Sequence, residues 1–115
     1  MLIGELAERT GVSARALRHY EEKELLVPER DANGYRHYAE SAVAVVAQIR
    51  VMLGAGLNAA AIRRYLDCVR DGEHGLSVDM CSGLRTELDR IAARLAAQQT
   101  ALEATRRRLD ALRSA

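Results

Sequence analysis

Cys81, Leu84, Leu88, Ile91, Leu95, Gln98, Leu102, Thr105, Leu109 and Leu112 follow one another by alternating steps of three and four residues. That is the spacing of the a and d positions of a heptad, the seam along which one helix winds against another. No Pro or Gly interrupts it after Gly83. A helix from about Asp79 to Arg113 is roughly 50 Å long at the standard rise per residue, and a chain of 115 residues cannot bury so long and narrow a stripe by itself. It requires a partner helix. The nearest candidate is the same helix of a second copy, which gives a two-fold dimer. Spacing leaves parallel and antiparallel pairing open. Gln98, midway between Leu84 and Leu112, either sets the register of the pair or, with Thr105, is tolerated near the ends of the contact.

The N-terminal stretch has another pattern. Ile3, Leu6 and Ala7 fall on one helical face, Gly11 can take the left-handed conformation of a sharp helix exit, and Val12 plugs the corner. Ser13 restarts the helix, its hydroxyl placed to accept from one of the first free backbone amides. Leu17 and Tyr20 return to the same interior and leave Arg15, Arg18 and His19 outside. The spacing predicts a helix-turn-helix with a basic outer face. An ordinary helical hairpin shows the same glycine between two amphipathic segments, so this stretch alone leaves that alternative open.

Pro28 stops any helix after Leu25 and Leu26. Asn33-Gly34 is a strong hairpin signal, and Tyr35, Arg36, His37 and Tyr38 follow it. A two-stranded wing with its tip near Ala32 to Gly34 is expected. So short a hairpin must lie against the helices. Arg36 and the tyrosine hydroxyls can reach phosphate oxygens, contacts that orient a protein on a duplex without reading bases; the alternative is that Tyr35 and Tyr38 fill an apolar gap.

Net charge is only +1, yet Arg15, Arg18, His19, Lys23, Arg30, Arg36 and His37 crowd into one part of the sequence. Placement, not total, points to a polyanion. With no Trp or Phe and only four Tyr, the core must be aliphatic, which suits packed helices. A third helix is expected over Glu40 to Leu53, ended by Gly54-Ala55-Gly56, and a fourth after an Asn58 cap through Leu66. Arg63 and Arg64 read as a solvated face. No apolar run is long enough for a bilayer, and no basic-then-apolar leader opens the chain, so a cytoplasmic protein with no membrane partner is expected.

Ile3-Gly4-Glu5-Leu6-Ala7, Gly11-Val12-Ser13, Leu17-Arg18-His19-Tyr20-Glu21, Leu25-Leu26 with Pro28 and Arg30, and above all Gly34-Tyr35-Arg36-His37-Tyr38 resemble, in order and spacing, the MerR-type transcription regulators, named for the mercury-resistance regulator. The likeness covers roughly the first two thirds of the chain. It implies a winged helix-turn-helix whose helix from Ser13 enters the major groove. Arg15 and Arg18 would contact base edges or phosphates; Tyr20, Tyr35, Arg36 and Tyr38 would grip the backbone; His19 stands where the family often has Tyr. It implies an antiparallel coiled coil between two heads, distortion of operator DNA in an overlong promoter spacer, and RNA polymerase as a partner reached through the shared promoter. Ala14 and Ala16 depart from the family's polar residues, and Glu24 replaces a usual Gly at the exit of the recognition helix. At the turn after the third helix, where the family often has a basic residue on phosphate, this chain has Leu53, with Arg50 the nearest replacement.

The expected architecture is therefore mostly α: a winged helix-turn-helix head of four helices and a short two-stranded wing over residues 1–70, a linker over 71–78, and one long coiled-coil dimerisation helix over 79–113. Leu84, Leu88, Ile91, Leu95, Gln98, Leu102, Leu109 and Leu112 are its expected dimer contacts. Cys81 falls where metal-sensing members of the family carry a ligand cysteine, so metal or thiol-redox sensing through Cys81, with Cys68 as a second candidate, stands beside plain packing at a seam position. The Cys spacing fits no standard zinc pattern, and no cofactor or resident metal is expected.

Three function classes follow. A dimeric sequence-specific regulator on double-stranded promoter DNA accounts for both the head and the long helix. An architectural, excisionase-like DNA-binding protein without promoter control uses the same head but commonly lacks that helix. An enzyme finds no glycine-rich phosphate loop, nucleophile-base pair or carboxylate pair at useful spacing.

Overall fold

The computed structural model describes residues 1–72 and 74–115. In chain order it has α1 (Ile3–Thr10), α2 (Ala14–Glu22), β1 (Glu29–Arg30), β2 (Arg36–His37), α3 (Ala42–Gly54), α4 (Ala59–Tyr65), a 3-10 turn (Leu66–Cys68), β3 (Val69–Gly72), β4 (Gly75–Val78) and α5 (Ser82–Ser114). Two compact units divide at Met80, the first spanning Met1–Met80 and the second Cys81–Ala115.

Local chemistry explains the first unit's helices. Gly11 ends α1 at φ 71°, donating its N–H to Ala7 O. Ser13 opens α2, its hydroxyl accepting from Ala16 N at 3.1 Å. Asn58 does the same for α4 through Ala61 N at 2.9 Å. Loss of such a cap costs about 1 kcal/mol. Leu6, Leu17, Val46, Ile49 and Ile62 are fully buried, so α1, α2, α3 and α4 each commit one face to a common aliphatic core.

The wing forms where expected but is built differently. The strands pair antiparallel, Glu29 with His37 and Arg30 with Arg36. Asn33 and Gly34 do not form a two-residue turn: of the residues between the strands only Gly34 has positive φ, at 82°. The connection runs from Asp31 to Tyr35 and Asp31 organises it. Its Oδ1 accepts from Asn33 N at 2.8 Å and Tyr35 N at 3.0 Å, and its backbone pairs with Tyr35 O and Gly34 N. The inner end is stitched to the start of the chain, where Tyr38 N donates to Met1 O at 2.7 Å.

Residues 71–78, expected as a linker, are instead mostly strand. β3 and β4 pair antiparallel from Val69↔Val78 to Gly72↔Gly75, and Glu73 lies outside the described residues. The stretch is polar and glycine-containing, and so reads as a loop by composition; what orders it is backbone pairing together with a buried Val69. Gln48 of α3 donates to the carbonyls of Leu66 and Val69 and ties the hairpin's root to that helix.

The second unit is α5, a single helix of 33 residues, about 50 Å long. It starts at Ser82, not Asp79, because Cys81 serves as its N-cap: Sγ accepts from Leu84 N at 3.4 Å. No helix among the described residues is long and apolar enough to cross a membrane.

Candidate nucleic-acid interface

Arg15, Arg18 and His19 are exposed on α2 while Leu17 and Tyr20 are buried, the division that the sequence predicts. Arg15 and Arg18, three residues apart, are neighbours on the outer face. His19 Nδ1 lies 4.0 Å from Glu22 Oε2. Ser13 is exposed at the helix start, with its hydroxyl engaged in the cap.

Arg18 meets the wing in a crevice of about 400 Å³ lined by Leu2, Ile3, Arg18, Arg30, Gly34, Tyr35 and Arg36. Three guanidinium groups and the exposed Tyr35 thus share one open concavity with an aliphatic floor. Such a surface favours an anion whose neighbours are apolar, as a phosphodiester flanked by sugar is. Arg30 is the member that motif reasoning left without a role. Its Nη1 donates to Gly34 O at 2.9 Å and holds the wing tip toward its own strand.

The four tyrosines divide sharply. Tyr35 is exposed, as a backbone contact must be. Tyr38 is 2% exposed, and its hydroxyl donates to Glu21 Oε2 at 3.1 Å. Burial first, and then the charge of Glu21 and the hydrogen bond to it, raise its pKa above the ordinary value of 10.0. Tyr20 is buried too. Of the tyrosines expected to reach the DNA backbone, Tyr20 and Tyr38 have their rings in the core, where a small domain without Phe or Trp uses them to fill space, and Glu21 holds the Tyr38 hydroxyl. Tyr65 lies outside this site, beneath Arg64 at 6.0 Å from the ring centre.

At the wing, Asp31 Oδ2 lies 2.9 Å from His37 Nε2. That hydrogen bond above all, then the one from Tyr35 N, lowers the Asp31 pKa below its ordinary 3.8. Two arginines assigned elsewhere support the helices from behind. Arg63, read as part of a solvated face, donates from Nη1 to Lys23 O at 2.7 Å and so covers an open carbonyl at the exit of α2. Arg50, offered as a replacement phosphate contact, donates to Thr10 O at 3.2 Å. Both partners lie 40 residues away in sequence, beyond what local spacing signals.

Along α5, Leu95, Leu102, Leu109 and Leu112 are exposed, Leu102 at 71% and Leu112 at 76%. Cys81 is exposed and Cys68 is half-buried. Among the described residues no group of three or more His, Cys, Asp and Glu is gathered so as to hold a metal.

The family model described as MerR HTH family regulatory protein matches residues 1–68. The HTH-type transcriptional regulator HmrR of Rhizobium leguminosarum bv. viciae is 32% identical over 105 residues, covering 90% of this chain and 81% of that protein. Among solved structures, the regulator PbrR691 from Ralstonia metallidurans CH34, in complex with lead(II), superposes with a TM-score of 0.77 at 26% identity, over 98% of this chain and 85% of that one. HiNmlR, a MerR family regulator lacking the sensor domain and solved bound to promoter DNA, has the same fold with a TM-score of 0.55 at 23% identity, covering 96% of this chain and 82% of its own. These relatives are regulators rather than enzymes, as the lack of catalytic spacing in this sequence predicts. With a helix-turn-helix, a wing beside it and a long helix following, the chain belongs to the MerR family of helix-turn-helix transcription regulators.

Proposed function

We propose that two copies of this chain pair through α5 and set their α2 helices on two half-sites of a promoter operator, which the dimer distorts. One observation carries the reading: Arg18 of α2 lines the same crevice as Arg30, Tyr35 and Arg36 of the wing, so recognition helix and wing bring their arginines to one surface. Arg15 and Arg18, with His19 and Ser13 beside them, face the bases and nearby phosphates, while Tyr35 and Arg36 hold the backbone. The exposed leucines of α5 supply the reason to dimerise, and a fixed separation between two heads is what a two-part operator needs. RNA polymerase is the partner reached through the shared promoter.

Selection of bound fragments from the host's genomic DNA tests the proposal. The expected result is a two-fold symmetric site inside a promoter spacer. Recovery of fragments with neither symmetry nor promoter context favours the architectural reading and ends this one.

Sensing of a metal or of redox state at Cys81 is a second reading, favoured by exposure of that thiol. Metal stoichiometry on the reduced protein tests it: no bound metal, with the same DNA affinity before and after mild oxidation, ends it.

A further inference from the structure

Glu21 sits in the last turn of α2, yet both of its carboxylate oxygens are engaged outside that helix. Oε1 lies 3.1 Å from Arg36 Nε on β2, and Oε2 accepts the Tyr38 hydroxyl just beyond β2 at 3.1 Å. The Glu21 side chain is 17% exposed against 44% for Arg36, so the carboxylate is the shielded member of the pair and the guanidinium the outward one. Beyond this ion pair the Arg36 guanidinium has no partner among the described residues. Glu21 and Glu22 also line, with Arg18 and Arg36, a small cavity of about 160 Å³.

A negative charge between two arginines on a phosphate-binding surface opposes the ligand by simple Coulomb repulsion. Its place there is explained if it organises the arginine more than it repels the phosphate. A free arginine side chain must give up rotamer freedom when it meets a phosphate, and one already held beside a carboxylate by an ion pair gives up less. We propose that Glu21 is a positioning residue: by pairing with the Arg36 guanidinium and accepting the Tyr38 hydroxyl, it sets the wing against the end of the recognition helix and turns the outer edge of Arg36 toward a DNA phosphate. This rests on the reading of Arg36 as a backbone contact, given above.

Electrostatics and positioning predict opposite signs. If Glu21 were only a nearby charge, its removal would tighten DNA binding; if it positions Arg36, removal weakens binding. The measurement is affinity, at one stated salt concentration, for a duplex that the wild-type protein selects from genomic DNA, made on wild type, Glu21→Met, Arg36→Ala and the double variant. Glu21→Met is expected to weaken binding at least about fivefold, the scale of one lost arginine contact. In the Arg36→Ala background the same change is expected to shift affinity by less than about twofold or to tighten it, because residues acting through one contact are not additive.

Equal or tighter binding by Glu21→Met, or the same loss with and without Arg36, overturns the inference alone. Undiminished affinity of Arg36→Ala overturns the reading of Arg36 and the inference with it. Side-chain order of Arg36, read by nitrogen-15 relaxation at Nε in the DNA-free wild type, keeps the idea testable even where Glu21→Met does not fold. Lower mobility than at Arg15 is expected, because the ion pair with Glu21 holds the guanidinium; equal mobility overturns it.

Discussion

Glu24 and Gly56 occupy the same place in two copies of one helix-ending motif. After α2, Leu25 N bonds Tyr20 O and Glu24 N bonds Glu21 O; after α3, Leu57 N bonds Met52 O and Gly56 N bonds Leu53 O. Both central residues are left-handed, at φ 62° for Glu24 and 93° for Gly56, and both are followed by a buried leucine. The motif is the usual double-bonded helix exit, in which glycine avoids the Cβ clash. Glu24 is the only non-glycine residue with positive φ among the described residues, and that conformation costs a side chain about 1–2 kcal/mol. Glu24→Gly is therefore expected to stabilise the fold by about 1 kcal/mol and to leave DNA affinity unchanged, as read by chemical unfolding and a binding titration. Lower stability would mean that the Glu24 side chain contributes something its geometry does not reveal.

The wing loop depends on one ionised carboxylate. Because the Asp31 pKa lies below 3.8 in the folded protein, its contribution is fully present above the unfolded value and is lost as pH falls through the lower, folded one. Amide exchange at Asn33 and Tyr35 is expected to stay protected at pH 5 and to lose protection only as acid is added below about pH 3.8. Asp31→Ala is expected to abolish that protection at every pH while the core amide of Leu17 stays slow.

Arg18→Ala and Arg36→Ala are each expected to weaken operator binding by at least ~1 kcal/mol. They should differ in kind. Arg36, as a phosphate contact, is expected to lower affinity evenly across sequences and reduce the log–log salt slope by about 0.9, whereas loss of Arg18 also relaxes base preference. Titrations on selected and scrambled duplexes at several salt concentrations separate the two.

The exposed stripe on α5 makes a prediction about assembly. In the proposed dimer, Leu102→Arg places one charge at the seam of each copy, where leucine burial contributes roughly 1.5–3 kcal/mol per side chain. The dimer dissociation constant is expected to rise at least about tenfold, with helix content of the head unchanged. Sedimentation equilibrium over a concentration series reads this directly, and a wild-type protein that sediments as a monomer at micromolar concentration removes its premise.

Cys81 caps α5 through sulfur, a weak acceptor, at 3.4 Å. A serine hydroxyl caps better, so Cys81→Ser is expected to leave thermal stability equal or raise it by up to about 1 kcal/mol. Scanning calorimetry under reducing conditions measures it; a clear loss of stability would give Cys81 a role beyond the cap.

The sequence by itself determined what is local and periodic. Gly11, Ser13 and Asn58 each act on backbone groups within four residues, so the turn and two helix starts follow from residue type and spacing. The apolar steps from Leu84 to Leu112 likewise foretell an unbroken helix, because helical periodicity needs no distant partner to be recognised. Tertiary structure decided where a side chain points once a choice of partners exists. Tyr35 and Tyr38 flank the same two strand residues, and three apart they face opposite sides; only the fold decides that Tyr38 is the one buried, against Glu21, and Tyr35 the one exposed. The hairpin of β3 and β4 arises from backbone pairing that its polar, glycine-containing sequence conceals. Glu21, Arg50 and Arg63 acquire their roles only when segments up to 40 residues apart are brought together. A charged side chain's function is set by which oxygens or carbonyls lie within 3 Å or so of its tip, and chain folding alone supplies those neighbours.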